Sequence, residues 1–179
     1  ITDIAGLVKG ASTGKGLGNE FLSHIYGVDG IFHVVRAFPS KTVEHVEGNI
    51  DPVRDLEIIT NELRLKDASI VEKKINSMER VAASTNDSTV KDEFECYKKL
   101  LKILKNCDSL LSTKWTNNEI DLINALYLLT AKPVVFLVNV SAVSWQNKKN
   151  KWVNGIKEWV KKTHPNSPLI MFSAAFEQK

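Results

Sequence analysis

Residues 1–22, ITDIAGLVKGASTGKGLGNEFL, place glycines at 6, 10, 14, 16 and 18 around one early aspartate, Asp3. Glycine suits a backbone that must take positive φ or lie close to a ligand, so a run this dense ahead of an apolar helical segment points to a phosphate-contacting loop. Within it, Gly10-Ala11-Ser12-Thr13-Gly14-Lys15-Gly16 imitates a Walker A loop. It is one residue short between its glycines, and Gly16 stands where a Mg²⁺-binding hydroxyl is required. The better pattern is Asp3-x-x-Gly6 at the carboxyl end of a strand. There an aspartate holds Mg²⁺ through water and a glycine N–H reaches a terminal phosphate.

Outward from that stretch the chain reads strand, loop, helix, strand. Asn19 to Gly27 is expected to be a short helix closed by glycine. Gly30 to Val35 (GIFHVV) is a buried strand by its β-branched and aromatic content. Pro133 to Val138 (PVVFLV) is an unbroken apolar run, as in a central parallel strand covered on both faces. Pro168 to Phe172 (PLIMF) is a further buried strand. Asn139 and Ser173-Ala174 directly follow two of these strands. With Asp3 they would lie at carboxyl strand ends, where open α/β sheets bind ligands.

Between the strands the composition turns helical. Asp51-Pro52 is a helix start, and Leu56, Ile59 and Leu63 share a face that Val71, Ile75, Met78 and Ala82 continue, with a break expected near Asp67. Ser84 to Thr89 (STNDST) is a polar turn, and Phe94, Tyr97, Leu101 and Leu104 form a returning stripe. Two amphipathic helices joined so briefly make an antiparallel hairpin. Thr116 to Glu119 is a capping box, and Trp152, Ile156 and Trp159 repeat at helical spacing as a core stripe.

Length, 43% hydrophobic and 25% charged residues bound a globular chain with one core and a sizeable insertion. No apolar run approaches a membrane span and no signal-peptide pattern opens the chain, so a cytoplasmic protein is expected. Cys96 and Cys107 fall in one expected helical segment, too far apart to bridge within it. The four histidines show no metal-ligand spacing and are expected to be solvated or core residues. A formal charge of +3 points only faintly to nucleic acid, although Lys148, Lys149, Lys151, Lys157, Lys161 and Lys162 cluster. They form either a solvated helix face or a contact for an acidic partner.

DIAGLVKGASTGKGLGNEFLSHI, DGIFHVVRAF, HVEGNIDPVRDLEII and KKNKWVNGIKEW together resemble the Obg-like ATPases of the YchF subfamily, over essentially the whole chain. The resemblance implies an α/β P-loop NTPase fold, a G-domain-like parallel sheet with an inserted antiparallel helical hairpin. Residues 1–48 and 113–179 would then be a partial nucleotide-binding domain from switch II onward, and 49–112 the helical insertion. It implies Mg²⁺ and ATP as cofactors, GTP being less favoured, and ribosomes or translation factors as partners. By family position Asp3 and Gly6 match switch II. Asn139 with Val140 matches the base-specificity motif, and Ser173-Ala174 the last base-contacting loop. Phe38 is either part of the base pocket or a packing aromatic.

Three departures qualify what the resemblance implies. Leu7 occupies the position where many Ras-like GTPases carry a water-orienting Gln, so slow hydrolysis or another group is expected. Asn139-Val140-Ser141-Ala142 ends in Ala142, where GTPases have Asp and the family usually has Glu. Loss of that charged contact costs guanine roughly 1.5–3 kcal/mol. A Walker A loop and its strand are expected ahead of Ile1, and residues 1–179 alone are expected to bind nucleotide weakly or not at all and to be inactive as a hydrolase. The competing expectation is a non-catalytic ribosome or translation-factor binding module with a vestigial pocket.

Overall fold

The computed structural model describes residues 1 and 3, residues 27–39 and residues 49–178. The glycine-rich stretch from Gly6 to Gly18, the helix expected at Asn19, His24 and His45 lie outside the described residues. The chain divides into two compact units, residues 1–27 with 60–132, and residues 28–59 with 133–179.

The second unit holds the sheet. Its strands β1 (Ile31–Ala37), β2 (Val134–Val140) and β3 (Leu169–Phe172) lie in the order β1-β2-β3. Both pairings are parallel, with Arg36, Asn139 and Phe172 side by side across the three strands. The strands expected from Gly30, Pro133 and Pro168 are present, but β1 and β2 each run two residues further; the strand expected to end at Asp3-x-x-Gly6 falls largely outside the described residues. Asn139 is therefore inside β2 and makes ladder contacts on both sides, rather than following the strand.

Alternate residues Phe136, Val138 and Val140 of β2 face the core with Val35 and Ala37 of β1. The other face of β2, with Val135 and Leu137, is half-buried, so the apolar run is more fully covered on one side than the other. Helices α4 (Ala142–Gln146) and α5 (Val153–Thr163) connect β2 to β3. Val153, Ile156 and Val160 of α5 recur at helical spacing and are buried against the sheet. Each such side chain contributes about 1.5–3 kcal/mol on burial. Trp152 and Trp159 flank this line and pack on the core part-buried, Trp152 as the residue preceding the helix.

Helix α1 (Pro52–Ser84) starts as expected, with Asp51 Oδ1 accepting from the Arg54 N–H at 3.2 Å. It continues unbroken through Asp67 for 33 residues, where the sequence had suggested a break. In the first unit α1 turns back through a three-residue link into α2 (Ser88–Lys105), capped by Asp87. Ala68 and Val71 of α1 pack with Tyr97, Leu100 and Leu104 of α2. Arg64 Nη1 donates to the Leu104 carbonyl at 2.6 Å, which closes the antiparallel pair near its base. Helix α3 (Asn117–Asn124) begins in the expected capping box, with Thr116 and Glu119 exchanging side-chain and main-chain hydrogen bonds.

α2 ends at Lys105, so Cys107 lies beyond it with φ 61°, and the two cysteines do not share a helix. Both are free thiols; Cys96 is buried and Cys107 exposed. No helix among the described residues is long and apolar enough to cross a membrane.

Candidate functional site

The carboxyl edge of the sheet gathers most of the described site candidates. Asn139 Oδ1 accepts from the main-chain N–H of Ala174 at 3.2 Å, tying β2 to the turn after β3. Ser173 is fully buried, and its hydroxyl has no hydrogen-bond partner among the described residues. A buried hydroxyl left unpaired costs about 1–3 kcal/mol, so it is the kind of group a ligand would satisfy. Val140 points the other way from Asn139 and its side chain is in the core, 1% exposed. Only its main chain remains for a ligand.

Ser141 caps the short α4 by accepting from the Ser144 N–H at 3.1 Å, which sets Ala142 at the first helical position. Its methyl group offers no acceptor to a base. At the end of β1, the Arg36 guanidinium stacks 5.0 Å from the Phe38 ring centroid and donates to the Phe38 carbonyl at 3.2 Å. Asn150 reaches the same place: its amide nitrogen donates to the Ala37 carbonyl at 2.7 Å, while its oxygen accepts from the Trp152 N–H at 3.0 Å. Nothing in the sequence singled out Asn150.

Asp3 is exposed and belongs to the first unit, and Gly6 lies outside the described residues. Among the described residues no three His, Cys, Asp or Glu side chains gather as a metal cluster. Mg²⁺ bound mainly by substrate phosphates and water needs only one or two carboxylates, and a solvated Asp3 suits that donor set.

One buried carboxylate and one part-buried pair of histidines fall outside these candidates. In the first unit Asp67 is fully buried and accepts from the Leu129 N–H at 3.0 Å and from the Thr130 N–H and hydroxyl at 2.7 Å each. Burial pushes its carboxyl pKa up against those hydrogen bonds. In the second unit His33 and His164 both lie against Phe136, at ring-centroid distances of 5.5 and 5.2 Å. Burial and the neighbouring His164 hold His33 down to about 4. The sequence had left these histidines as separate core or surface residues, 131 positions apart.

A parallel sheet whose candidate ligand groups sit at carboxyl strand ends, with helices packed on it, is an open α/β fold, and its likeness to a solved YchF GTPase makes it one of the P-loop NTPase class. No protein-family model matches the chain. It is 46% identical over 179 residues to Obg-like ATPase 1 of Caenorhabditis elegans, covering 100% of this chain and 45% of that protein. Against Obg-like ATPase 1 of Gallus gallus it is 48% identical over 181 residues, covering 100% of this chain and 46% of that protein. The solved structure of the Schizosaccharomyces pombe YchF GTPase superposes with a TM-score of 0.84 at 44% identity, over 97% of this chain and 47% of that one. The chain fits the YchF subfamily of Obg-like ATPases and spans about half the length of the curated relatives it matches.

Proposed function

We propose that the protein carrying this chain binds ATP with Mg²⁺ and hydrolyses it, acting as a nucleotide-dependent switch linked to the ribosome or translation factors in the cytoplasm. The observation that carries this is the tie between Asn139 Oδ1 and the Ala174 N–H beside the unpartnered Ser173 hydroxyl. With its oxygen engaged, the Asn139 amide nitrogen donates to a purine ring nitrogen, a contact that adenine and guanine both accept. Ser173 and the Ala174 main chain then border the base, and Phe38 packs at its edge.

Choice between the purines falls on Ala142. Guanine presents two N–H donors that need a carboxylate, and a methyl group leaves them unpaired; adenine makes no such demand. By family position Asp3 would hold Mg²⁺ through water and the Gly6 N–H would meet the terminal phosphate. Bound Mg²⁺ neutralises the charge that develops on the phosphates. Leu7 cannot orient a water, so turnover is slow unless a partner supplies the missing group. A second reading, a non-catalytic docking module, is favoured by Ala142 and by the cluster of exposed lysines from Lys148 to Lys157.

Calorimetric titration of ATP and GTP into the full-length protein tests the base assignment. ATP should bind more tightly, and Ala142→Asp should raise the GTP-to-ATP affinity ratio about 10- to 100-fold. A wild-type preference for GTP, or no change on substitution, would overturn it.

A further inference from the structure

At the carboxyl end of β1 the ladder stops at Ala37, and Phe38 and Pro39 leave the sheet. Two side chains hold the main chain there. The Asn150 amide nitrogen, from the loop between α4 and α5, donates to the Ala37 carbonyl at 2.7 Å. Arg36 Nε donates to the Phe38 carbonyl at 3.2 Å. These carbonyls belong to the peptide units before and after Phe38, so the two bonds together orient both planes that meet at its Cα. Pro39 restricts the same residue further, because a residue before proline is held to extended conformations. Asn150 is itself anchored: its oxygen accepts from the Trp152 N–H at 3.0 Å, and the N–H groups of Lys148 and Lys149 just before it donate to the Trp145 and Ser144 carbonyls.

Core packing does not account for this. Phe38 is half-buried and, among the described residues, belongs to neither hydrophobic cluster, whereas Val35 and Ala37 just before it lie in the core. One face of its ring is covered by the Arg36 guanidinium, 5.0 Å from the centroid. Arg36 in turn is the β1 neighbour of Asn139 in the register, so the ring stands at the same sheet edge as the tie between Asn139 and Ala174. An aromatic ring fixed at its main chain and backed by a cation has already lost the freedom that a stacking ligand would otherwise have to remove. Purines stack well on such a ring because each presents a π-face.

We propose, resting on the reading of Asn139 as a purine contact, that Asn150 and Arg36 are positioning residues of the base pocket. They hold Phe38 so that the ring face turned away from Arg36 stacks on the purine. Neither residue touches the nucleotide; each acts through Phe38.

The test is a double-mutant cycle read by calorimetric titration of ATP with Mg²⁺ into the full-length protein. Phe38→Ala should weaken ATP binding about tenfold or more, the scale of one base stacked on an aromatic ring. Asn150→Ala and Arg36→Ala should each weaken it about threefold or more, the scale of one hydrogen bond. Because both act through the ring, adding either change to Phe38→Ala should leave affinity within about twofold of Phe38→Ala alone. Asn150→Asp keeps the acceptor for the Trp152 N–H and has no donor for the Ala37 carbonyl. It should lose as much as Asn150→Ala, which separates the clamp on β1 from the anchoring of the loop. Losses that multiply in the double variants would overturn the proposal, as would wild-type affinity in Asn150→Ala or Asn150→Asp. If Asn139→Ala loses ATP while Phe38→Ala binds it as wild type does, the purine reading stands and the positioning role alone falls. Absence of ATP binding by the wild type would overturn both.

Discussion

The side-chain oxygen of Asn139 holds the main-chain N–H of Ala174 at 3.2 Å, across 35 residues of sequence. One asparagine thus fixes the turn after β3 and leaves its amide nitrogen for a ligand. Asn139→Ala in the full-length protein should weaken ATP and GTP binding alike by tenfold or more and lower stability by about 1 kcal/mol. Asn139→Asp keeps the acceptor for Ala174 and removes the donor. It should fold as well as wild type yet lose the same affinity, and calorimetry alongside thermal melting separates the two roles.

Asp67 bears three hydrogen bonds from Leu129 and Thr130 while fully buried. Asp67→Ala strands those donors and should cost about 2–4 kcal/mol in urea denaturation, with the m-value unchanged. Asp67→Asn keeps an acceptor oxygen and should cost less than half as much. Because burial raises the folded pKa, the folded state takes up the Asp67 proton more readily than the unfolded chain. This group's contribution therefore favours the fold at low pH and is lost as pH rises through the folded value.

His33 has the opposite linkage. Its folded pKa is about 4, below the ordinary 6.5, so in the window between them the unfolded chain binds a proton that the fold refuses. Stability from this group is complete above pH 6.5 and falls as the pH drops toward 4, by up to about 3 kcal/mol. His164, lowered by burial as well, adds to the same trend. Melting temperatures of wild type and His33→Gln at pH 7 and pH 5 check this; the drop on acidification should be smaller in the variant.

The strands were legible as short β-branched or unbroken apolar runs, and the hairpin because its apolar residues repeat with the helical period. Capping residues such as Asp51 and Thr116 marked helix starts by a mechanism that needs no tertiary partner. Asp67 misled because an aspartate inside an apolar stripe reads as an interruption, whereas here its partners come from residues 129–130. It does sit four residues from both Leu63 and Val71, and a charge on a buried stripe is itself a sign of a satisfied polar group. Asn139 was identified by residue type and family position, but its hydrogen bond to Ala174 could not be read, since nothing local links β2 to β3. The meeting of His33 with His164 around Phe136 and the clamp from Asn150 to Ala37 are likewise products of chain topology.

Steady-state ATP hydrolysis by the full-length protein, compared with its Asp3→Ala variant, measures whether Asp3 serves Mg²⁺-dependent turnover. Mg²⁺-dependent turnover should be present in the wild type and should fall at least tenfold in Asp3→Ala, while circular dichroism stays unchanged. A variant that hydrolyses ATP at the wild-type rate would contradict the account.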